Sequence, residues 1–402
     1  MGLPVVRLLL LIYYCCCLDF AVSFSVTSVS ATGATSNEDA DRPTLPSTPP
    51  TRSSKLQYIT CASTNELASA VSRFVRRDDS VAELGSQLRD VSSTICDSLQ
   101  QEQGGQAILV DVVRKFPKNT KNVEAIDRTR AMRQPGQELD FYPDTAIFTE
   151  ISKLDDWRSA FMDASATTSF DVFVLDVNAI VGNDLEWTSL SIIREFTSMF
   201  PSCRLVLVKS FRLNQWAKQL VHGQRWMTNQ QQGRQNKRST TKIIATVGVH
   251  EYRELIPFTV RPGDSVLEVG CHLGTSTILL HEATTVGNDT GYCIGVDVGP
   301  KIILGAKQRY PDVHFSTGDA WKTAGLLRIQ QDYNASHEQQ SKRLGFDVVY
   351  VDVGGLSGSD GLMEALSLVS ALLSALEPRC IVIKSLCMRR LSSTLVPFWQ
   401  AK

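Results

Sequence analysis

Two glycines, an acid and three hydroxyl side chains crowd into Glu268-Val-Gly-Cys-His-Leu-Gly-Thr-Ser-Thr277. Gly270 and Gly274 let the backbone turn tightly beside a ligand. Thr275 and Ser276 cap a following helix, whose first amides then face an anionic group. Glu268 either accepts from a ligand ammonium or orders the loop, and His272 stands between the two glycines. Asp297 follows Gly270 by 27 residues. A carboxylate at that distance accepts both hydroxyls of a ribose, and Val298 beside it offers an apolar face to a base. Asp352 and Lys384 end two further apolar runs.

These residues need a frame. Val266–Val269, Cys293-Ile-Gly-Val-Asp297, Phe346-Asp-Val-Val-Tyr-Val-Asp-Val353 and Cys380-Ile-Val-Ile-Lys-Ser385 are short apolar runs ending in polar residues. Such runs are buried parallel strands, since both of their faces are covered. Helix-length segments such as Gly361–Leu376 and Leu190–Met199 separate strands and complete a parallel α/β sheet. In open parallel sheets ligands bind beyond the carboxyl ends of the strands, which is where the residues above fall.

The same pattern occurs twice. Glu66–Leu88 aligns without gaps on Glu251–Leu273, a separation of 185 residues, as between Asp79 and Asp264. Glu83 then matches Glu268, and Gly85 matches Gly270. Ala107-Ile-Leu-Val-Asp111, Phe170–Val177 and Leu205-Val-Leu-Val-Lys-Ser210 answer the runs Cys293–Asp297, Phe346–Val353 and Cys380–Ser385 of the later half. Gly274, however, meets Arg89, and Thr275 meets Asp90. The segment Ala146-Ile-Phe-Thr-Glu-Ile151 lacks the Gly318-Asp-Ala320 of its counterpart. The expectation is an α/β chain of two tandem doubly wound units made by internal duplication, at about 56–215 and 242–402. The N-terminal unit is degenerate, and residues 216–241 are a basic, Gln-rich, flexible linker.

Over about Glu251–Ser385 the chain resembles the class I (Rossmann-like) S-adenosylmethionine-dependent methyltransferases, with no clear subfamily. The resemblance implies S-adenosyl-L-methionine (SAM) as cofactor. Glu268, Gly270, His272, Gly274 and Thr275 would hold the methionine end, and Asp297 and Val298 the ribose and adenine. Val313-His-Phe-Ser-Thr-Gly-Asp-Ala-Trp321 resembles the third motif of the superfamily, with Asp319 on the adenine amino group, Ala320 at the ring edge, and Trp321 either stacked on it or in the core. Asp352 would face the sulfonium region and, with Lys384 and His272, supply the candidate bases for an oxygen or nitrogen nucleophile. Asp352 and Lys384 also resemble two members of the Lys-Asp-Lys-Glu set of FtsJ-type RNA 2′-O-methyltransferases, although no upstream lysine matches. The implied function is methyl transfer to an RNA or small molecule. The alternative is a SAM-binding or ligand-free pseudoenzyme acting as a scaffold.

Bulk properties set few limits. Net charge is −1, so an RNA partner would need a local patch such as the basic linker 223–241. The ten cysteines form no Cys-x-x-Cys and no Cys/His cluster, so neither a metal site nor a disulfide framework is expected. Arg7, the apolar run Leu8–Leu18 and Ala21-Val-Ser23 read as a cleaved signal peptide over residues 1–23. Phe24 and the Ser/Thr-rich stretch to residue 55 resemble the bipartite presequence of algae with secondary plastids. That implies a plastid location, with secretion as the alternative, and no stable membrane association after cleavage. Oligomeric state is open.

Overall fold

The computed structural model describes residues 56–402 except 86–89, 100–104, 113–145, 152, 165–168, 177, 179–185, 233–240, 289, 338–343, 357 and 359–360. Residues 1–55, expected to be a presequence, lie outside the described residues. Fourteen strands are described. In chain order they are β1 Gln57–Cys61, β2 Ser80–Leu84, β3 Gln106–Val112, β4 Ala146–Ile151, β5 Val172–Asp176, β6 Leu205–Lys209 and β7 Leu220–His222. They continue with β8 Lys242–Thr246, β9 Ser265–Val269, β10 Tyr292–Asp297, β11 His314–Thr317, β12 Val348–Val351, β13 Cys380–Lys384 and β14 Leu395–Pro397.

The strands form two seven-stranded sheets, ordered β14-β1-β6-β5-β2-β3-β4 and β11-β10-β9-β12-β13-β8-β7. Every described pairing is parallel. Read from opposite edges, the two sheets have the same order. The edge strands are exchanged. β14 pairs with β1 in the register Tyr58↔Leu395, and β7 pairs with β8 in the register Leu220↔Ile243. Each sheet is completed by a strand from the other half of the chain.

This differs from two separate units joined by a flexible linker. The boundary at residue 216 falls inside the helix Phe211–Gln219, and the expected linker carries β7 and the helix Gly223–Gln231. His222 caps that helix, and Trp226 and Met227 pack against the core. Residues 233–240 of the linker lie outside the described residues.

Alternation along each strand explains why both faces are apolar. Leu84, Phe173 and Val206 of the first sheet join Leu267, Val349 and Ile381 of the second in one shared hydrophobic cluster. The opposite faces have clusters of their own, around Val81 and Leu207 and around Val266 and Tyr350. The helices Glu186–Met199 and Leu362–Leu376 contribute Phe196 and Leu372 to the shared cluster. The first of these starts four residues before the expected Leu190. Buried Glu186 accepts from Ser370 at 3.3 Å and from Trp216 at 3.4 Å, so a polar contact also joins the halves.

Candidate functional site

The site forms where β9, β10, β11 and β12 end. β9 turns at Gly270, whose φ is +80°, and its amide donates to the Val296 carbonyl at 2.8 Å. A Cβ there would lie 2.2 Å from the Asp352 carbonyl oxygen, so the loop can touch β12 only with glycine present. Gly274, also at φ +80°, is the residue before the helix Thr275–Thr284, and a Cβ would lie 2.5 Å from the Phe315 ring. The two glycines therefore fit the loop tightly between β12 and β11. No side chain caps the helix, so its first amides remain directed at the loop mouth.

His272 also adopts a left-handed conformation, with φ 49°. Its side chain is exposed, and its amide donates to Asp297 Oδ2 at 3.1 Å. A left-handed backbone favours glycine at this point, and histidine adopts it at a cost of about 1–2 kcal/mol. Asp297 Oδ1 accepts from the Gly299 amide at 3.0 Å. Its carboxylate is thus held in place by two amides, and each oxygen retains capacity to accept from a ribose hydroxyl.

Glu268 has a different part from the ligand contact considered for it. It is 2% exposed. Tyr252 donates to Oε1 at 3.3 Å and Thr277 to Oε2 at 2.5 Å. Burial pushes its carboxyl up to about 8, with the Thr277 hydroxyl pulling the other way and the nearby Asp352 charge adding to the rise. The residue ties β9 to the helix and to Tyr252, which orders the loop.

Asp319 follows β11. Its Oδ1 accepts from the Trp321 amide at 3.0 Å, and Lys322 lies 3.7 Å from its other oxygen. Ala320 is buried, whereas Trp321 is 47% exposed and so is not a core residue. Val298 is 69% exposed. Apolar surface therefore stands open beside both Asp297 and Asp319, which suits a planar base. Asp352 and Lys384, at the ends of adjacent strands, form an ion pair with each other. Residue reasoning did not foresee Arg253, whose Nε donates to Ser276 Oγ at 3.0 Å at the start of the helix. It lies upstream of the loop, and only the fold brings the two together.

The first half repeats much of this at matching positions. Ser92 donates to Glu83 at 2.7 Å, Lys209 pairs with Asp176 at 2.7 Å, and Gly85 has φ 90°. Arg89 lies outside the described residues.

No family model matches the chain, and no curated protein matches it. Parts of it are similar to solved SAM-dependent methyltransferases. A TehB-like methyltransferase from Corynebacterium glutamicum matches at 18% identity over 38% of this chain and 61% of its own, with a TM-score of 0.20. A sugar N-methyltransferase from Streptoalloteichus matches at 20% identity over 34% and 46%, with a TM-score of 0.23. An amino pentose methyltransferase from Micromonospora echinaspora, solved with SAM bound, matches at 19% identity over 32% and 42%, with a TM-score of 0.19. The chain spans less than two thirds of the length of each. At this overlap the likeness adds nothing to the geometry above.

Proposed function

We propose that the second half of the chain binds SAM and moves its methyl group to an oxygen or nitrogen nucleophile on an RNA or small molecule. The observation that carries this reading is the convergence of Gly270, Gly274, Asp297 and Asp319 at neighbouring strand ends beside exposed apolar surface. The amides of Thr275 and its neighbours would take the methionine carboxylate, with Arg253 as counter-ion. Gly270, Gly274 and the His272 amide would shape the cradle. Asp297 would take the ribose, and Val298, Asp319 and Ala320 the adenine. Glu268 would act by holding the loop. SAM supplies a methyl group already activated on a sulfonium, so the protein's task is to align the acceptor. Asp352 and Lys384 face that region as the candidate catalytic groups.

Titration calorimetry of the full chain with SAM tests this. Micromolar binding is expected, weakened about 10–100-fold in Asp297→Ala by loss of charge-assisted hydrogen bonds. Absence of SAM binding to the wild type would overturn the assignment. Tritiated SAM offered to an extract divided into RNA, protein and small molecules then identifies the acceptor. The ion pair Lys384–Asp352 favours a second reading, since each candidate base is neutralised by the other. Binding without transfer to any fraction would establish that scaffold.

We also read the chain as a duplication whose first copy, about 56–215, has lost its cofactor. The recurrence of strand order and of the Glu83–Ser92 and Asp176–Lys209 contacts supports common descent. Arg89 in place of Gly274 supports the loss. An RNA acceptor would meet the basic segment 223–241. For location we retain the plastid, with residues 1–55 as presequence. The described cysteines are free and buried, which fits a reducing compartment. A reporter carrying residues 1–55 that enters the secretory pathway instead would favour secretion.

A further inference from the structure

The exchange of edge strands leaves a cleft of about 880 Å³ where the two halves meet, away from the loop site. It gathers around the starts of β1, β8 and the exchanged strands β7 and β14, whereas the loop site lies beyond strand carboxyl ends. Its volume falls within the range of roughly 300–1,000 Å³ of small-molecule pockets. Its lining mixes polar and apolar residues, and its charged side chains are of one sign. Lys218, His222 and Arg225 come from the first half and its connection, and Lys242, Ser392 and Ser393 from the second. No aspartate or glutamate lines it.

Lys242 is the decisive residue. It opens β8 and is 9% exposed. Its ammonium donates to the Lys218 carbonyl at 3.2 Å. No carboxylate pairs with it among the described residues. A buried ammonium with one neutral acceptor carries an uncompensated desolvation cost. Burial accordingly holds its basicity below the ordinary lysine value. An anion in the cleft would meet both demands, and Arg225 offers the planar fork that suits phosphate oxygens.

We propose that this cleft binds a phosphorylated small molecule, its phosphate held by Lys242 and Arg225 and its hydroxyl-bearing part by Ser392, Ser393 and neighbouring amides. Such a ligand bridges the two halves and stabilises their exchange. The site is independent of SAM.

The test is thermal unfolding of the full chain at constant ionic strength, with inorganic pyrophosphate or ribose 5-phosphate as probes. Either should saturate and raise the midpoint by roughly 3–5 °C at a hundredfold excess over its Kd. A tighter sugar phosphate identifies an organic ligand, and equal binding of both identifies the anion alone as the recognised group. Lys242→Met should weaken binding at least about tenfold. Arg225→Gln, at an exposed position, provides a second variant should the first fail to fold. Midpoints that rise equally in the wild type and both variants would overturn the proposal. So would a wild type that binds neither probe, or one stabilised by a single-stranded RNA but by neither small phosphate.

Discussion

Replacing Glu268 by Gln should change how stability depends on pH. The Glu268 carboxyl is raised from 4.5 to about 8 in the folded chain, burial being the largest cause. An acid with a raised folded value binds its proton more tightly when folded than when unfolded. Stability is therefore fullest below the unfolded value and falls as pH rises toward the folded one. Between pH 5 and pH 8 the unfolded chain has released this proton while the folded chain largely retains it. At 1.36 kcal/mol per unit, the linkage relation gives a loss of about 3–4 kcal/mol across that interval from this residue. At 2% exposure the group needs no discount for solvent screening. Glu268→Gln keeps the shape and can still meet the Tyr252 and Thr277 hydroxyls, but it cannot ionise. Urea unfolding of wild type and variant at half-unit steps from pH 5 to 8 measures the difference directly. Subtraction cancels the histidines, including His281 and His314, whose values burial lowers. The difference between the two curves should narrow toward pH 5 and open toward pH 8, the variant being the more stable there. Parallel curves would mean that Glu268 is already ionised in the folded protein, and the account of it as a neutral tie would fail.

Three further outcomes follow from the same geometry. Gly270→Ala should destabilise the protein by about 2–4 kcal/mol, because a left-handed φ and a collision with the Asp352 carbonyl act together; a loss below half a kcal/mol by urea unfolding would count against the close approach. His272→Gly should stabilise by about 0.5–1 kcal/mol and leave the proposed SAM affinity within twofold, since the amide rather than the ring reaches Asp297; a tenfold loss of affinity would make the imidazole a ligand. Removing residues 395–402 should open the β1 edge and cause self-association, detectable as a shift to larger species on size-exclusion chromatography. A truncated chain that elutes and melts like the full one would show that the exchanged strand contributes little.

Much of the frame was legible because buried parallel strands are apolar throughout and stop at a polar residue. Asp176, Asp297, Lys209 and Lys384 each end a strand. The motif at Gly270 was legible because its glycines answer to a backbone requirement that other residues meet badly. What was not legible depends on distance along the chain. β7 and β14 span three residues each, too short for any period to show, and β14 finds its partner near Tyr58. The basic, Gln-rich composition of 223–241 suggests a solvated linker, yet Trp226 and Met227 anchor a helix over its first part. Trp321 has a core-like side chain but stands exposed at the loop site. Arg253 and Tyr252 reach the loop only through the helix Gly248–Glu254, which no local pattern connects to it.

The strand exchange also constrains what the first half can be. A first half that merely accompanied the second could fold apart from it. Here the first sheet receives β14 from beyond Lys384, and the second receives β7 from before β8. Leu213, Trp216 and Phe196 pack in the same cluster as Ile381, Leu372 and Leu391. Glu186, only 6% exposed, takes one hydrogen bond from each half. Neither half can unfold without exposing the apolar face of the other, so the two should melt in a single transition. On the proposed reading, absence of cofactor binding by the first half leaves that structural role untouched. The pairs Glu83–Ser92 and Asp176–Lys209 illustrate the point: they tie helix to strand and strand to strand whether or not a ligand is held. Stability alone is therefore enough to account for these contacts.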